Sequence, residues 1–184
     1  MLHRHGIQDL GHPEIRPYLK LRDDRVHREQ GIFIAEGAKI TERLLDSQVQ
    51  VRSLLLPEKW LERFLPLIEQ HDEDIHAFVG PKPELEKLTG LGMYQGVNSV
   101  GIIPSPPTLA EILQSSQTPR LFIAIDDLTG ADNVGTVARN GLAFGTQAMI
   151  VGDTCCSAWV RKAVRTSMGT IFRLPALETT SLAA

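Results

Sequence analysis

Leu121-Phe122-Ile123-Ala124-Ile125-Asp126-Asp127-Leu128-Thr129-Gly130-Ala131-Asp132-Asn133-Val134-Gly135 decides the fold of the second half of the chain. Its five consecutive apolar residues have strand length, and an unbroken apolar run is the pattern of a strand buried on both faces of a parallel sheet. A polar loop, Asp126 to Asp132, leads into a helical run from Asn133 to Phe144 that Gly145 stops. Ala148 to Val151 reads as a second buried strand and Ala158 to Ser167 as a second helix. Thr170 to Leu174 reads as the start of a third strand before Pro175. Strand–helix–strand–helix–strand implies a parallel sheet with right-handed crossovers.

Upstream, Thr108-Leu109-Ala110-Glu111 fits a capping box, in which Thr and Glu three apart satisfy amide donors at a helix start. Before it, Pro104-Ser105-Pro106-Pro107 removes backbone donors and disfavours helix, so a boundary is expected there: residues 1–104 and 105–184. In the first part, Ile32-Phe33-Ile34 reads as a strand, and Ala38 to Ser47 as a helix with Ile40, Leu44 and Leu45 at helical spacing. Val51 to Leu56 is a strand, Glu58 to Ile68 a helix, and Ile75 to Val79 a strand. Pro83 to Leu88 is a short helix, and Val97 to Ile103 a strand. This predicts a small α/β sandwich ahead of a parallel α/β unit.

Composition narrows the function. With 184 residues, 42% hydrophobic and 22% charged, the chain is globular, and its 15 Gly and 11 Pro follow no collagen-like period. Adjacent Cys155 and Cys156 cannot staple distant segments, which suggests a reducing compartment. No apolar run has the ~20 residues of a membrane span, and Met1-Leu2-His3-Arg4-His5 lacks a signal's apolar core, so a cytoplasmic location is expected. The net charge of −3 argues against coating nucleic acid by bulk charge, yet basic residues cluster. Arg16, Lys20, Arg22, Arg25 and Arg28 face only Asp23 and Asp24. Arg161, Lys162, Arg165 and Arg173 have no acid among them. Such patches suit either a partner gripped locally or ordinary solvated helix faces.

Ligands of open parallel sheets sit at the carboxyl ends of strands, which draws attention to the Asp126–Gly135 loop. Asn133 at the helix start either caps free amides or holds a ligand hydroxyl. Arg139 lies about 9 Å along the helix axis and is either a surface residue or one reaching back to the loop. No G-x-G-x-x-G or P-loop is present; Gly90-Leu91-Gly92 with Gly96 is spaced wrongly. His3, His5, His12, His27, His71 and His76 show no metal-ligand spacing, so no metal is expected. Cys155-Cys156 is expected to pack at a strand end, and Ser167 and Gly169 to shape a turn.

Ile123-Ala124-Ile125-Asp126-Asp127 followed by Asn133-Val134-Gly135-Thr136-Val137-Ala138-Arg139 and Ala143-Phe144-Gly145 resembles the first signature of the SpoU-type (TrmH-like) RNA ribose methyltransferases. Lys162-Ala163-Val164-Arg165-Thr166-Ser167-Met168-Gly169 also looks like that family. Phe33-Ile34-Ala35-Glu36-Gly37 and Tyr94-Gln95-Gly96-Val97 are similar to the opening and close of its substrate-binding domain. The resemblance implies an RNA-binding domain over 1–104 and the N-terminal part of an α/β-knot methyltransferase domain over 105–184. It implies S-adenosylmethionine as methyl donor, a ribose 2′-hydroxyl of structured transfer or ribosomal RNA as acceptor, and a homodimer.

By that resemblance Asn133 and Arg139 are the catalytic pair. Because a guanidinium stays protonated in proteins, Arg139 reads better as an orienter beside a substrate phosphate than as the base. Arg22, Arg25, Arg28, Lys39, Arg161 and Arg165 then become candidate phosphate contacts, the alternative for each being a solvated surface residue. The chain departs from the family after Gly169. A strand with a glycine- and glutamate-containing loop and a Ser-Leu-Asn helix start, which build the cofactor pocket and thread the knot, are not found, so no cofactor residue is assigned. The expectation is an N-terminal portion of a longer methyltransferase, itself of doubtful activity. The alternatives are a catalytically inactive RNA-binding protein of the same ancestry or an unrelated nucleotide-binding α/β enzyme.

Overall fold

The computed structural model describes residues 1–8 and 11–182. The chain divides into two compact units, Met1–Ile103 and Pro104–Ala184.

The first unit is a five-stranded mixed sheet of β1 (Leu2–Gly6), β2 (Ile32–Glu36), β3 (Val51–Leu56), β4 (Ile75–Val79) and β5 (Asn98–Ile102). The order is β1-β4-β3-β5-β2, with β4 parallel to β1 and β3, and β5 antiparallel to β3 and β2. Its helices are α1 (Arg16–Leu19), α2 (Asp24–Glu29), α3 (Ala38–Leu45), α4 (Glu58–Ile68) and α5 (Lys82–Thr89).

Alternation along the strands gives the sheet two apolar faces. Ile32, Ile34, Leu55, Phe78 and Val100 join Ile15, Tyr18, Leu21, Leu85 and Met93 in one buried cluster. Phe33 points the other way, its ring over Gly101, where a Cβ would lie 2.3 Å from Phe33 Cζ. Buried polar groups are paired across elements: the Tyr18 hydroxyl meets Ser53 Oγ at 3.0 Å, and Thr41 Oγ1 meets Ser99 Oγ at 2.9 Å. Burial pushes the Tyr18 phenol well above its ordinary value.

The second unit has α6 (Leu109–Ser115), β6 (Phe122–Ile125), α7 (Ala131–Ala143), β7 (Ala148–Gly152), α8 (Arg161–Thr166) and β8 (Ala176–Thr179). The strands form an open parallel sheet in the order β6-β7-β8. Thr108 caps α6 as the capping box requires: its hydroxyl accepts from the Glu111 amide at 3.2 Å, and Glu111 accepts the Thr108 amide at 2.7 Å. The Thr108 amide, and its hydroxyl donating at 2.8 Å, hold the Glu111 carboxyl below its ordinary value.

Two sequence expectations shift here. Central β7 is buried, but β6 lies at an edge and leaves Ala124 exposed, so its apolar run is not covered on both faces. Thr170–Phe172 is a 3-10 helix, not strand. It follows Gly169 at φ +78°, and the pairing starts only at Pro175, whose carbonyl accepts the Met149 amide at 2.8 Å. A proline at the first position of an edge strand costs no ladder bond.

Candidate active site

In the second unit the carboxyl ends of β6 and β7 lie side by side, so the loops leaving them share one surface. Asp126 Oδ1 accepts from Thr154 Oγ1 at 3.1 Å and from the Asp127 amide at 3.0 Å. Asp127, at φ +49°, also donates its amide to Thr154 Oγ1 at 3.1 Å. Leu128 donates to Cys155 Sγ at 3.4 Å, and Cys155 Sγ to the Ile125 carbonyl at 3.4 Å. Gly152 brings β7 close: a Cβ there would lie 3.1 Å from Asp126 Oδ1. The mouth of the site is therefore cross-linked by short polar side chains, and Asp126, Asp127, Asp132 and Asp153 all remain exposed.

Helix α7 starts earlier than its sequence suggests. Gly130 is the N-cap and Asn133 sits in the first turn, so Asn133 is not the cap. Its carboxamide folds back over Gly130, with Nδ2 3.1 Å from where a Cβ would stand. Arg139 is also exposed. With 3.6 residues per turn, Asn133 and Arg139 are separated by about 120° around the helix and about 9 Å along it. This spacing puts them on different faces of α7. Gly135, on the buried side, lets α8 pack tightly: a Cβ would meet Thr166 Oγ1 at 2.1 Å and the Ala163 carbonyl at 2.3 Å.

Helix α8 carries Lys162 and Arg165 exposed and Arg161 half-buried. Ser167 donates to the Val164 carbonyl at 2.8 Å and accepts the Gly169 amide at 3.1 Å, so these residues shape the turn after α8. The loop-to-loop network of Asp126, Thr154 and Cys155 escapes sequence reasoning, since nothing along the chain shows which strands are neighbours.

In the first unit Arg22, Arg25, Arg28 and Lys39 are all exposed. Arg22 lines a groove of about 480 Å³ with Leu19, Asp23 and Leu91. Arg25 pairs with Glu29 at 3.0 Å, and Lys39 with Glu42 at 2.7 Å. The Lys39 hydrogen bond, with the charges of Lys39 and Arg63, outweighs desolvation and holds the Glu42 carboxyl below its ordinary value.

Linear spacing also misleads for histidine. Parallel pairing of β1 with β4 sets His3 opposite His76, and His5, His12 and His76 come together with a ligand atom each within 4.8 Å of the others. Desolvation, then the neighbouring His12, His3 and His5, pushes the His76 imidazole below its ordinary value.

The SpoU rRNA Methylase family model matches residues 120–184. An uncharacterized tRNA/rRNA methyltransferase of Mycolicibacterium vanbaalenii is 26% identical over 155 residues, covering 82% of this chain and 43% of that protein. One from Mycobacterium bovis is 22% identical, covering 79% and 49%. The chain thus spans less than half the length of these curated relatives. The AdoMet-bound rRNA methyltransferase from Sinorhizobium meliloti has a TM-score of 0.74 at 20% identity, over 95% of this chain and 64% of that one. The SpoU methyltransferase AviRb from Streptomyces viridochromogenes, in complex with AdoMet, has a TM-score of 0.74 at 22% identity, over 94% and 64%. The chain therefore has the fold of the SpoU methyltransferases, and the family's own pattern in residues 120–184 relates it to the SpoU/TrmH-type RNA methyltransferases.

Proposed function

We propose that the protein to which this chain belongs transfers a methyl group from S-adenosylmethionine to a ribose 2′-hydroxyl in structured RNA, transfer or ribosomal. The observation that carries the reading is that α7, with Asn133 in its first turn and Arg139 six residues further on, leaves the loop at the carboxyl end of β6 in an open parallel sheet, within the residues that match the SpoU family. Its acidic mouth, formed by Asp126, Asp127, Asp132 and Asp153, fits the positive sulfonium of the methyl donor by charge. The basic residues of α8, with Arg139, supply the opposite charge for RNA phosphates.

Held at that mouth, S-adenosylmethionine would supply an electrophilic methyl group to the ribose oxygen, the C–O bond forming as the C–S bond breaks and its electron pair leaves with the thioether. The hydroxyl proton passes to a substrate phosphate oxygen or to water, because a guanidinium has no acceptor. The Asn133 carboxamide holds the ribose hydroxyl, and Arg139 fixes the adjacent phosphate through a planar fork. Most of the advantage comes from positioning, since a weak hydroxyl nucleophile reacts only when the geometry is already set. In this reading Met1–Ile103 grips RNA through Arg22, Arg25, Arg28 and Lys39, while Arg161 and Arg165 contact phosphate from the second unit. The protein works as a cytoplasmic homodimer.

Arg139 provides the test. In the intact protein, Arg139→Ala lowers methyl transfer by about 10²-fold or more while leaving affinity for the methyl donor nearly unchanged, as expected of an interaction made mainly in the transition state. Arg139→Lys rescues poorly, since a point charge does not reproduce a bidentate fork. Steady-state kinetics with a fixed RNA substrate check this, and near-normal turnover in the lysine variant refutes the orienting role.

A further inference from the structure

The histidines near the amino terminus have no part in the proposed methyl transfer, yet they form the densest cluster of metal-ligating side chains among the described residues. His5 lies on β1, His76 on β4 and His12 at the N-cap of the 3-10 helix Pro13–Ile15. The ring centroids form a triangle, with His5–His12 at 4.4 Å, His12–His76 at 4.8 Å and His5–His76 at 5.2 Å. Phe78, fully buried, floors it, stacking on His5 at 5.1 Å and meeting His12 edge-on at 5.4 Å. All three histidines are half-exposed, so an ion has a path in from solvent.

We propose that His5, His12 and His76 form a three-imidazole site for a divalent transition-metal ion of the zinc class, clamping His12 and the helix that follows it onto the β1–β4 edge of the sheet. The donor set selects the ion. Three imidazole nitrogens with neither thiolate nor carboxylate suit zinc, copper, nickel or cobalt, and suit magnesium or calcium poorly. A tetrahedral zinc with nitrogens at about 2.0–2.1 Å holds them ~3.3 Å apart. His5 Nε2 and His76 Nδ1 already face each other at 2.9 Å, and the remaining closure is a side-chain rotation of His12. The Glu14 amide donates to His12 Nδ1 at 3.2 Å, so that nitrogen carries the lone pair of the neutral ring and is its ligating atom: on binding, Nδ1 turns from the Glu14 amide to the ion and Nε2 keeps its proton.

The proton balance closes without an added acid or base. Between neutral rings the His5–His76 hydrogen bond uses one N–H. When the ion takes both facing lone pairs, that proton moves to the far nitrogen of its own ring, and none is released. Water fills the fourth position. His3 is not a ligand, because its Nε2 is held by Asp74 Oδ1 at 2.8 Å. His71 is likewise engaged elsewhere, between the Leu45 carbonyl and Glu73.

The test is titration of the untagged full chain with Zn(II) by calorimetry, and with Co(II) by visible absorption, which reports nitrogen ligation directly. One ion per chain is expected. Loss of an outer-shell partner alone lowers metal affinity roughly 10- to 100-fold, so removing a ligand lowers it by at least about tenfold. His76→Ala and His12→Asn should each do so. The asparagine still accepts the Glu14 amide and keeps the helix cap, which separates ligation from folding. His3→Ala and the Cys155→Ser/Cys156→Ser pair should bind as the parent does. Absence of stoichiometric binding by the folded parent overturns the site. So does binding that survives His12→Asn with His76→Ala, or binding that follows the cysteines.

Discussion

Gly135 is where a single atom decides the packing of the second unit. A Cβ there falls 2.1 Å from Thr166 Oγ1 and 2.3 Å from the Ala163 carbonyl, and that carbonyl is α8 backbone, which has no free rotation to yield. Gly135→Ala gains up to ~1 kcal/mol of helix propensity. Overpacking costs about 1–3 kcal/mol and wins. At Gly141 the balance reverses, because the contact, at 2.6 Å, is the Ile123 Cδ1 methyl at the end of a flexible side chain. Thermal unfolding should therefore show Gly135→Ala lowering the second unit's Tm by several degrees and Gly141→Ala leaving it nearly unchanged. Equal effects would mean that α7 does not approach α8 through Gly135. The signature glycine thus has a packing reason of its own, apart from any ligand.

At the scale of elements, Glu73 joins two strands. Its Oε1 accepts the Val51 amide at the start of β3 at 2.8 Å and the His71 ring at 3.0 Å, just ahead of β4. Desolvation pushes this carboxyl up, but the Val51 bond, its own amide and His71 together outweigh it, and the net displacement is downward from 4.5. A depressed folded value means the stabilisation is fully present above about 4.5 and is lost as pH falls through the folded value. Glu73→Gln should flatten the acid limb of the first unit's stability curve, read by denaturant midpoints from mildly acidic to neutral pH. An unchanged acid limb assigns that limb to other carboxylates.

Element types are legible wherever the apolar period is strong. Val51–Leu56, Ile75–Val79 and Glu58–Ile68 fall where the pattern places them. What is not legible has identifiable causes. In β1, Leu2-His3-Arg4-His5-Gly6 carries almost no apolar residue, because an edge strand built on pairing with β4 needs little burial of its own. The apolar pattern puts the third parallel strand at Thr170, whereas β8 begins at Ala176. Thr170-Ile171-Phe172 is apolar for packing as a 3-10 turn, with Ile171 and Phe172 both buried. At the site, Asn133 and Arg139 are visible from their motif. The Asp126–Thr154 bridge and the histidine triangle depend on strand neighbours, which no local pattern encodes.

At the scale of the molecule, two compact units carry opposite tasks in the proposed function, gripping RNA and moving a methyl group. The first is tested by charge. Arg25 is held by an exposed pair with Glu29, and such pairs are weak enough for a phosphate to displace. Replacing Arg22, Arg25 and Arg28 together should weaken RNA binding and reduce the log–log salt slope by roughly two to three, at about 0.7–0.9 for each phosphate no longer neutralised. An unchanged slope excludes that surface. The second task is tested most directly by locating the methyl group itself. The intact protein should be incubated with labelled S-adenosylmethionine and total transfer and ribosomal RNA, and the label then mapped by resistance of the modified linkage to alkaline hydrolysis. The account predicts label on a ribose 2′-oxygen at a discrete position, lost in Arg139→Ala. Label on a base, or ribose label undiminished by Arg139→Ala, would contradict it.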